Sequence, residues 1–188
     1  MPKPFPLISG RLSLDLVNTE VVRRGVRHDL LATPSDLQHW ITIMQDTGAL
    51  RGVAMDAEEA ADAWPFIRAL RSVLRQGFEQ IAGAQPLESD WPRHLEEVIQ
   101  QAPLAYKLGL GRLIPVPMGQ PADAVGSLVA YDALQLLASN VLYDLHHCAN
   151  PECVLLFLDE QGRRKWCSMK LCGNRAKVSR YQSRHGTP

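Results

Sequence analysis

The sequence predicts a mainly α fold of the α+β class: a helical N-terminal domain with a small β-hairpin, then a small metal-bound C-terminal module of β-hairpin and helix. Three observations carry this. Apolar residues recur at steps of three or four through several long stretches, the spacing of amphipathic helices. Two strand-like runs flank a glycine-containing turn at Gly109 to Gly111. All four cysteines lie between Cys148 and Cys172, as two C-x4-C pairs separated by thirteen residues. A length of 188 residues suits one medium domain, 1–145, and a small appendage, 146–188. With 46% hydrophobic residues the chain can bury a real core, and no apolar run reaches the ~18 residues that cross a bilayer.

Residues 1–10 are punctuated by proline and read as irregular. Leu12 to Val22 mixes two periodicities and reads as a strand or turn leading into a short helix that stops near Gly25. Asn18 and Thr19 are polar inside this apolar segment, as a buried hydrogen-bonding pair or a ligand contact. Thr33, Pro34 and Asp36 open the next helix as cap, first position and first-turn acid. Its apolar face is Leu37, Trp40, Ile41 and Met44, and it ends near Gly48. Asp56, with Glu58 and Glu59, opens another helix, whose stripe runs Trp64, Ile67, Leu70, Leu74, Phe78 and Ile81. Pro65 is expected to kink or split it. Arg68, Arg71 and Arg75 share a different face, read as solvated or as a seat for a small anionic ligand. A shorter helix starts at Trp91-Pro92, runs from Arg93 to Gln100 and is closed by Pro103. Ala105 to Leu108 and Arg112 to Val116 make the hairpin, with Pro115 and Pro117 at its far end. Pro121 to His147 reads as the longest helix, apolar over more than half its circumference and running into Cys148 without a Gly/Ser linker.

Between the cysteine pairs, Val154 to Leu158, Asp159 to Gly162 and Arg163 to Trp166 read as strand, tight turn and strand. Such a hairpin gathers both pairs, and four thiolates at one point make a closed tetrahedral site for one structural Zn2+. Disulfides need an oxidising compartment, and the N-terminal M-P-K-P-F-P-L-I-S-G has no apolar signal core. A redox pair would more often read C-x-x-C, and iron–sulfur spacings are usually tighter. Zinc is favoured; disulfides, a cluster and coincidence are the alternatives. His146 and His147 read as the end of the preceding helix, with substitution for a cysteine ligand as the alternative. In the module Val154, Leu156, Phe157, Leu158, Trp166 and Val178 can make only a small cluster. Zinc is therefore expected to supply much of its folding free energy, on the order of 10–16 kcal/mol in apparent terms. Cys172-Gly173-Asn174 reads as the entry to a final helix reaching about Arg184. Its first N–H groups would point at thiolates, and Gly173 would let backbone approach the metal.

Cys148, Cys153, Phe157, Asp159, Arg163 to Met169, Cys172 to Arg175 and Lys177 together resemble the CGNR zinc finger. Upstream, L-S-L-D-L-V-N-T at Leu12 to Thr19, with Asp29 to Trp40, resembles the ABATE domain usually fused to it. The family is regarded as a group of stress-induced bacterial transcription regulators. The resemblance thus implies DNA binding by the finger and a ligand-sensing or assembly role for the larger domain.

A net charge of zero hides an asymmetry: from Cys148 onward eight Lys/Arg face three Asp/Glu, while residues 1–147 hold twelve against seventeen. Zinc with four thiolates would leave the finger at about +3. A basic module on an acidic body suits a nucleic-acid reader, or docks back on its own body. Lys177, Arg180 and Arg184 fall on one face of the final helix with Arg175 beside them. Arg163, Arg164, Lys165 and Lys170 cluster on the hairpin and its exit, and phosphate contact is the default role for each. Asn174 reads as a helix cap, with adenine recognition as the alternative. A DNA-binding regulator, cytoplasmic and nucleoid-associated, is the leading reading. It is expected to act as a homodimer because a single small finger binds weakly. Its rivals are an RNA-binding module, for which stacking aromatics are few, and a protein-interaction adaptor with purely structural zinc. No nucleophile elbow, P-loop, dinucleotide loop or H-E-x-x-H motif is present, so no enzymatic role is expected.

Overall fold

The computed structural model describes residues 5–109 and 111–185 and begins with a short helix, α1 (Leu12–Val17). A hairpin follows, β1 (Glu20–Arg23) against β2 (Val26–Asp29), then helices α2 (Pro34–Asp46), α3 (Ala57–Ala82) and α4 (Trp91–Gln101). A second hairpin, β3 (Leu104–Gly109) with β4 (Arg112–Pro117), leads into α5 (Pro121–Ala138). After one 3-10 turn at Val141–Asp144 come the short antiparallel partners β5 (Leu145–His147) and β6 (Leu156–Leu158). A π-turn at Met169–Gly173 opens the last helix, α6 (Asn174–His185). The fold is mainly α with small antiparallel hairpins, as the sequence predicts.

Local chemistry explains the long helices. Thr33 and Asp36 form a reciprocal capping box at α2, and Asp56 and Glu59 form another at α3. Pro65 neither ends nor divides α3, which continues to Ala82. The one missing N–H bond is outweighed because Ala60 and Ala63 before it, and Ile67, Leu70, Leu74 and Phe78 after it, are all buried. Gly77 lets α4 close on α3: a Cβ there would fall 2.2 Å from Trp91 Nε1, which donates to Val73 O at 3.0 Å.

Four expectations change. The first segment has its order reversed, with helix α1 preceding the β1–β2 hairpin. All six residues of α1 are buried, and Arg24-Gly25, with φ of 53° and 74°, make the tight turn. The long helix ends at Ala138, not His147, because Asn140 takes φ 60° and turns the chain. Leu142 and Leu145 are then buried from a turn and a strand, so a strand rather than a rigid helix enters the finger. His146 and His147 accordingly lie on β5. Finally, β6 pairs with β5 upstream, not with residues 163–166. Asp159 Oδ2 accepts the Arg164 N–H at 2.6 Å and the Arg164 guanidinium donates to Leu158 O and Cys167 O, so this connection folds as a looped brace.

The core crosses the chain's two parts. One buried cluster joins α1 to α5 and extends to Leu145 and Leu156. A second holds Cys148, Leu155, Phe157, Cys167 and Cys172 together with Val21 and Leu30 from the first hairpin region. Val178 stays outside it, exposed on α6.

Candidate metal centre

The turn after β5 carries Cys148 and Cys153, and the approach to α6 carries Cys167 and Cys172. Their sulfurs all lie within 4.8 Å of one another, and Cys153 Sγ is 3.8 Å from Cys167 Sγ. Zn–S bonds of about 2.3 Å in a tetrahedron place sulfurs roughly 3.8 Å apart, whereas a disulfide needs about 2.05 Å. All four are free thiols, three of them buried. The donor set fits one structural Zn2+, and four protein sulfurs leave no position for a reacting water.

Hydrogen bonds prepare the sulfurs for negative charge. The Cys167 N–H donates to Cys148 Sγ at 3.4 Å, and Asn150 Nδ2 donates to Cys172 Sγ at 3.7 Å. Arg175 Nη2 reaches Cys172 Sγ at 3.2 Å while its Nε donates to Leu171 O at 2.6 Å. A four-thiolate zinc site carries a net charge of about −2, so a guanidinium on one ligand offsets part of it. The proton shared between Cys167 and Cys153 is held unequally. The Cys167 hydrogen bond lowers Cys153 to about 5, and the same bond, then burial, push Cys167 up. Burial pushes Cys148 up as well. Metal binding releases such protons, so it is favoured as pH rises.

Three details of the expected site change. The Cys172 and Gly173 N–H groups donate to Ser168 O at 3.1 and 3.0 Å, not to the sulfurs. A Cβ on Gly173 would meet Met169 Sδ at 2.5 Å and Trp166 at 3.3 Å, so the glycine makes room for Met169 rather than for the metal. Asn174 is already helical, at φ −67° and ψ −38°, and the capping is done by Ser168, whose Oγ accepts from the Leu171 N–H at 3.0 Å. The histidines play no part in the cysteine cluster; His146 packs its ring 6.1 Å from Phe157.

The helical body positions the centre. Asn18, fully buried, donates through Nδ2 to Leu156 O at 2.9 Å and accepts the Leu156 N–H at 3.0 Å. It thereby acts as one more strand residue beside β6. Arg75 Nη1 donates to Val154 O at 3.1 Å and Nη2 to Val17 O at 2.6 Å, with Nε 2.5 Å from Glu20 Oε2. Arg71 grips Asp29 bidentately at 2.6 and 2.8 Å and donates to Thr19 Oγ1 at 2.9 Å. Arg68 Nη2 adds a bond to Asp29 Oδ2 at 3.0 Å. Burial pushes the Asp29 carboxyl up, yet the Arg71 bond and charge, with Leu31 N–H and Arg68, hold it below its usual 3.8. The arginine face is thus no solvated surface: Arg71 and Arg75 are buried against Asp29 and Glu20. Asn18, Thr19, Arg68 and Arg71, the candidates for ligand contact, all have partners inside the protein.

Among the basic candidates, Arg163, Lys165, Lys170 and Lys177 are exposed. Arg164 is exposed too but serves the finger, stacking its guanidinium 4.6 Å from the Phe157 ring centre. Arg175 is likewise committed to Cys172. Arg180 and Arg184 lie in α6, and their side chains fall outside the described residues. The Arg175–thiolate contact was open to sequence reading, since i and i+3 meet on a helix. The Asn18 pairing was not, because its partner is 138 residues away.

Comparison with family profiles gives two matches. Residues 145–185 match the CGNR zinc finger. Residues 10–140 match ABATE, described as "Putative stress-induced transcription regulator". The chain belongs to the ABATE family. No curated protein matches it. In this ABATE chain helices α1 to α5 and the first two hairpins fall in the ABATE match, and the four cysteines, β5, β6 and α6 in the finger match.

Proposed function

We propose that this ABATE protein is a zinc-dependent DNA-binding transcription regulator, acting as a homodimer associated with the nucleoid. Its finger would contact DNA through α6 and the connection that precedes it. The observation that carries the reading is the charge layout. Arg163, Lys165, Lys170 and Lys177 are exposed on the module that carries the four-cysteine cluster, while the body holds the acidic excess. Cations gathered on one small module are what phosphate neutralisation requires, and a helix of the width of α6 fits a major groove. Zinc would supply folding free energy and no reaction step, and no catalysis is assigned to the body. The body would serve as a ligand sensor or as the dimerising part; the four polar residues considered for a small anionic ligand are paired internally, which favours assembly. Among described residues no helix is long and apolar enough to cross a membrane.

A mobility-shift titration of duplex DNA against single-stranded RNA, at about 50 and 200 mM salt, tests this. Duplex should bind with a steep salt slope. The double variant Lys170→Ala/Lys177→Ala should bind more weakly at unchanged zinc content, with a slope lower by about 2. Absence of duplex binding at the lower salt overturns the reading; preference for RNA moves it to the RNA-binding alternative.

A further inference from the structure

The β3–β4 hairpin projects from the body with one blunted edge and one open edge. Its register pairs Leu104 with Pro117, Tyr106 with Pro115 and Leu108 with Leu113. The Met118 N–H donates to Pro103 O at 2.9 Å, and this bond sets the alternation of the ladder. Ala105, Lys107 and Gly109 therefore bond inward to β4, while Leu104, Tyr106 and Leu108 direct N–H and C=O outward. On β4 the outward positions are Leu113, Pro115 and Pro117. Two of those three have no N–H to offer, the usual protection of a free edge, and α5 packs beside this strand. The β3 edge has no proline, and no charged residue occupies an outward-bonding position. The side chains of Tyr106, Leu108 and Leu113 are 51%, 80% and 65% exposed on one face of the same hairpin.

We infer that the outer edge of β3 is a homodimer interface, two copies pairing β3 with β3 antiparallel about a two-fold axis through Tyr106. The occupant follows from self-complementarity. Centred on Tyr106, every outward-bonding residue meets another: Tyr106 meets the partner's Tyr106, and Leu108 meets the partner's Leu104. Each outward N–H then faces an outward C=O, giving about six inter-chain hydrogen bonds. The intervening pairs set Lys107 against the partner's Ala105, so the two lysines are never directly opposed. A net charge of zero adds no long-range repulsion between copies. The product is a closed four-stranded sheet, β4-β3-β3-β4, with Leu104, Tyr106, Leu108 and Leu113 of both copies on one face. This deepens the homodimer part of the proposed function and is tested without DNA, so its failure leaves the DNA-binding reading to its own assay.

Sedimentation velocity of the full zinc-loaded chain, from about 1 to about 100 µM, reads the interface directly. The unaltered protein should pass from monomer to dimer within that range. Tyr106→Pro removes an outward N–H together with the ring, at a position equivalent to that of Pro115, and leaves the inward bonds of Ala105 and Lys107 to β4 in place. It should stay monomeric with unchanged far-ultraviolet dichroism. Tyr106→Glu sets two carboxylates on the axis and should weaken the dimer at least tenfold; it decides the matter if the proline variant misfolds. Val26→Glu, on the other hairpin, should leave the dimer intact. A monomer at every concentration, a Tyr106→Glu protein that dimerises as tightly as the original, or a monomer that instead takes a strand from another protein would each overturn the proposal.

Discussion

The body builds nearly all of its own core: Trp40, Ile67, Leu74, Phe78 and Val129 are fully buried in a cluster whose buried members come from the finger only at Leu145 and Leu156. The finger does not. Its buried sulfurs and Phe157 share a cluster with Val21 and Leu30, and its strand β6 is hydrogen-bonded by Asn18. Where the body relies on apolar area, the finger relies on a metal and on surface borrowed from its neighbour. The difference teaches that the finger's orientation is set by buried polar contacts reaching back to α1 and α3, not by a continuous helix entering it.

Losing a ligand should separate the two regions most. Cys167→Ser is expected to forfeit most of the site's apparent zinc free energy, on the order of 10–16 kcal/mol, and to unfold residues 145–185 while the body stays helical. Metal analysis with hydrogen exchange checks this; a finger that stays protected without metal would show that the borrowed core suffices.

Smaller changes probe the seam. Arg71→Ala removes the bidentate grip on Asp29 and the bond to Thr19, leaving Asp29 with Arg68 and the Leu31 N–H, and should cost about 3 kcal/mol in urea unfolding. Asn18→Ala leaves the Leu156 N–H and C=O unpaired and should cost about 2–4 kcal/mol, with exchange rising first across β6.

Acid should act on the seam in a sign that can be worked out. Asp29 has its folded value below 3.8, so the stability it contributes is present above that pH and is lost as pH falls through the lower folded value. Asp15 is the opposite: burial outweighs its Ser9 bonds and raises it, so its contribution grows as pH falls. Between about pH 6 and pH 3, Asp29→Asn should therefore lose less stability than the unaltered protein and Asp15→Asn more, as read from urea midpoints. Least of all, Val178→Ala on exposed α6 should stay within about 0.5 kcal/mol of the original, because that residue belongs to neither core.

Much of this was legible in the chain itself. The capping residues Thr33 and Asp56, the stripes of α2 and α3, the β3–β4 turn and the paired cysteines are local signals, and local chemistry carries them through folding. The misreadings have a common cause. Leu12 to Val17 is buried on every side, so periodicity could not tell helix from strand. Leu142 and Leu145 continued the apolar pattern of α5, though Asn140 had already turned the chain. The arginine row on α3 looked like surface because its acids, Glu20 and Asp29, lie on a hairpin about fifty residues upstream.

Sequence alone determined which residues gather the metal, since thiolate chemistry at matched spacing admits few other outcomes. It also determined where the main helices begin, through caps that act within one turn. Only the tertiary structure decided which strand β6 pairs with, that Asn18 and Arg75 join finger to body, and which hairpin edge is left open. Those are pairings between groups far apart in the chain, and a buried polar group's partner is chosen by what the fold brings beside it.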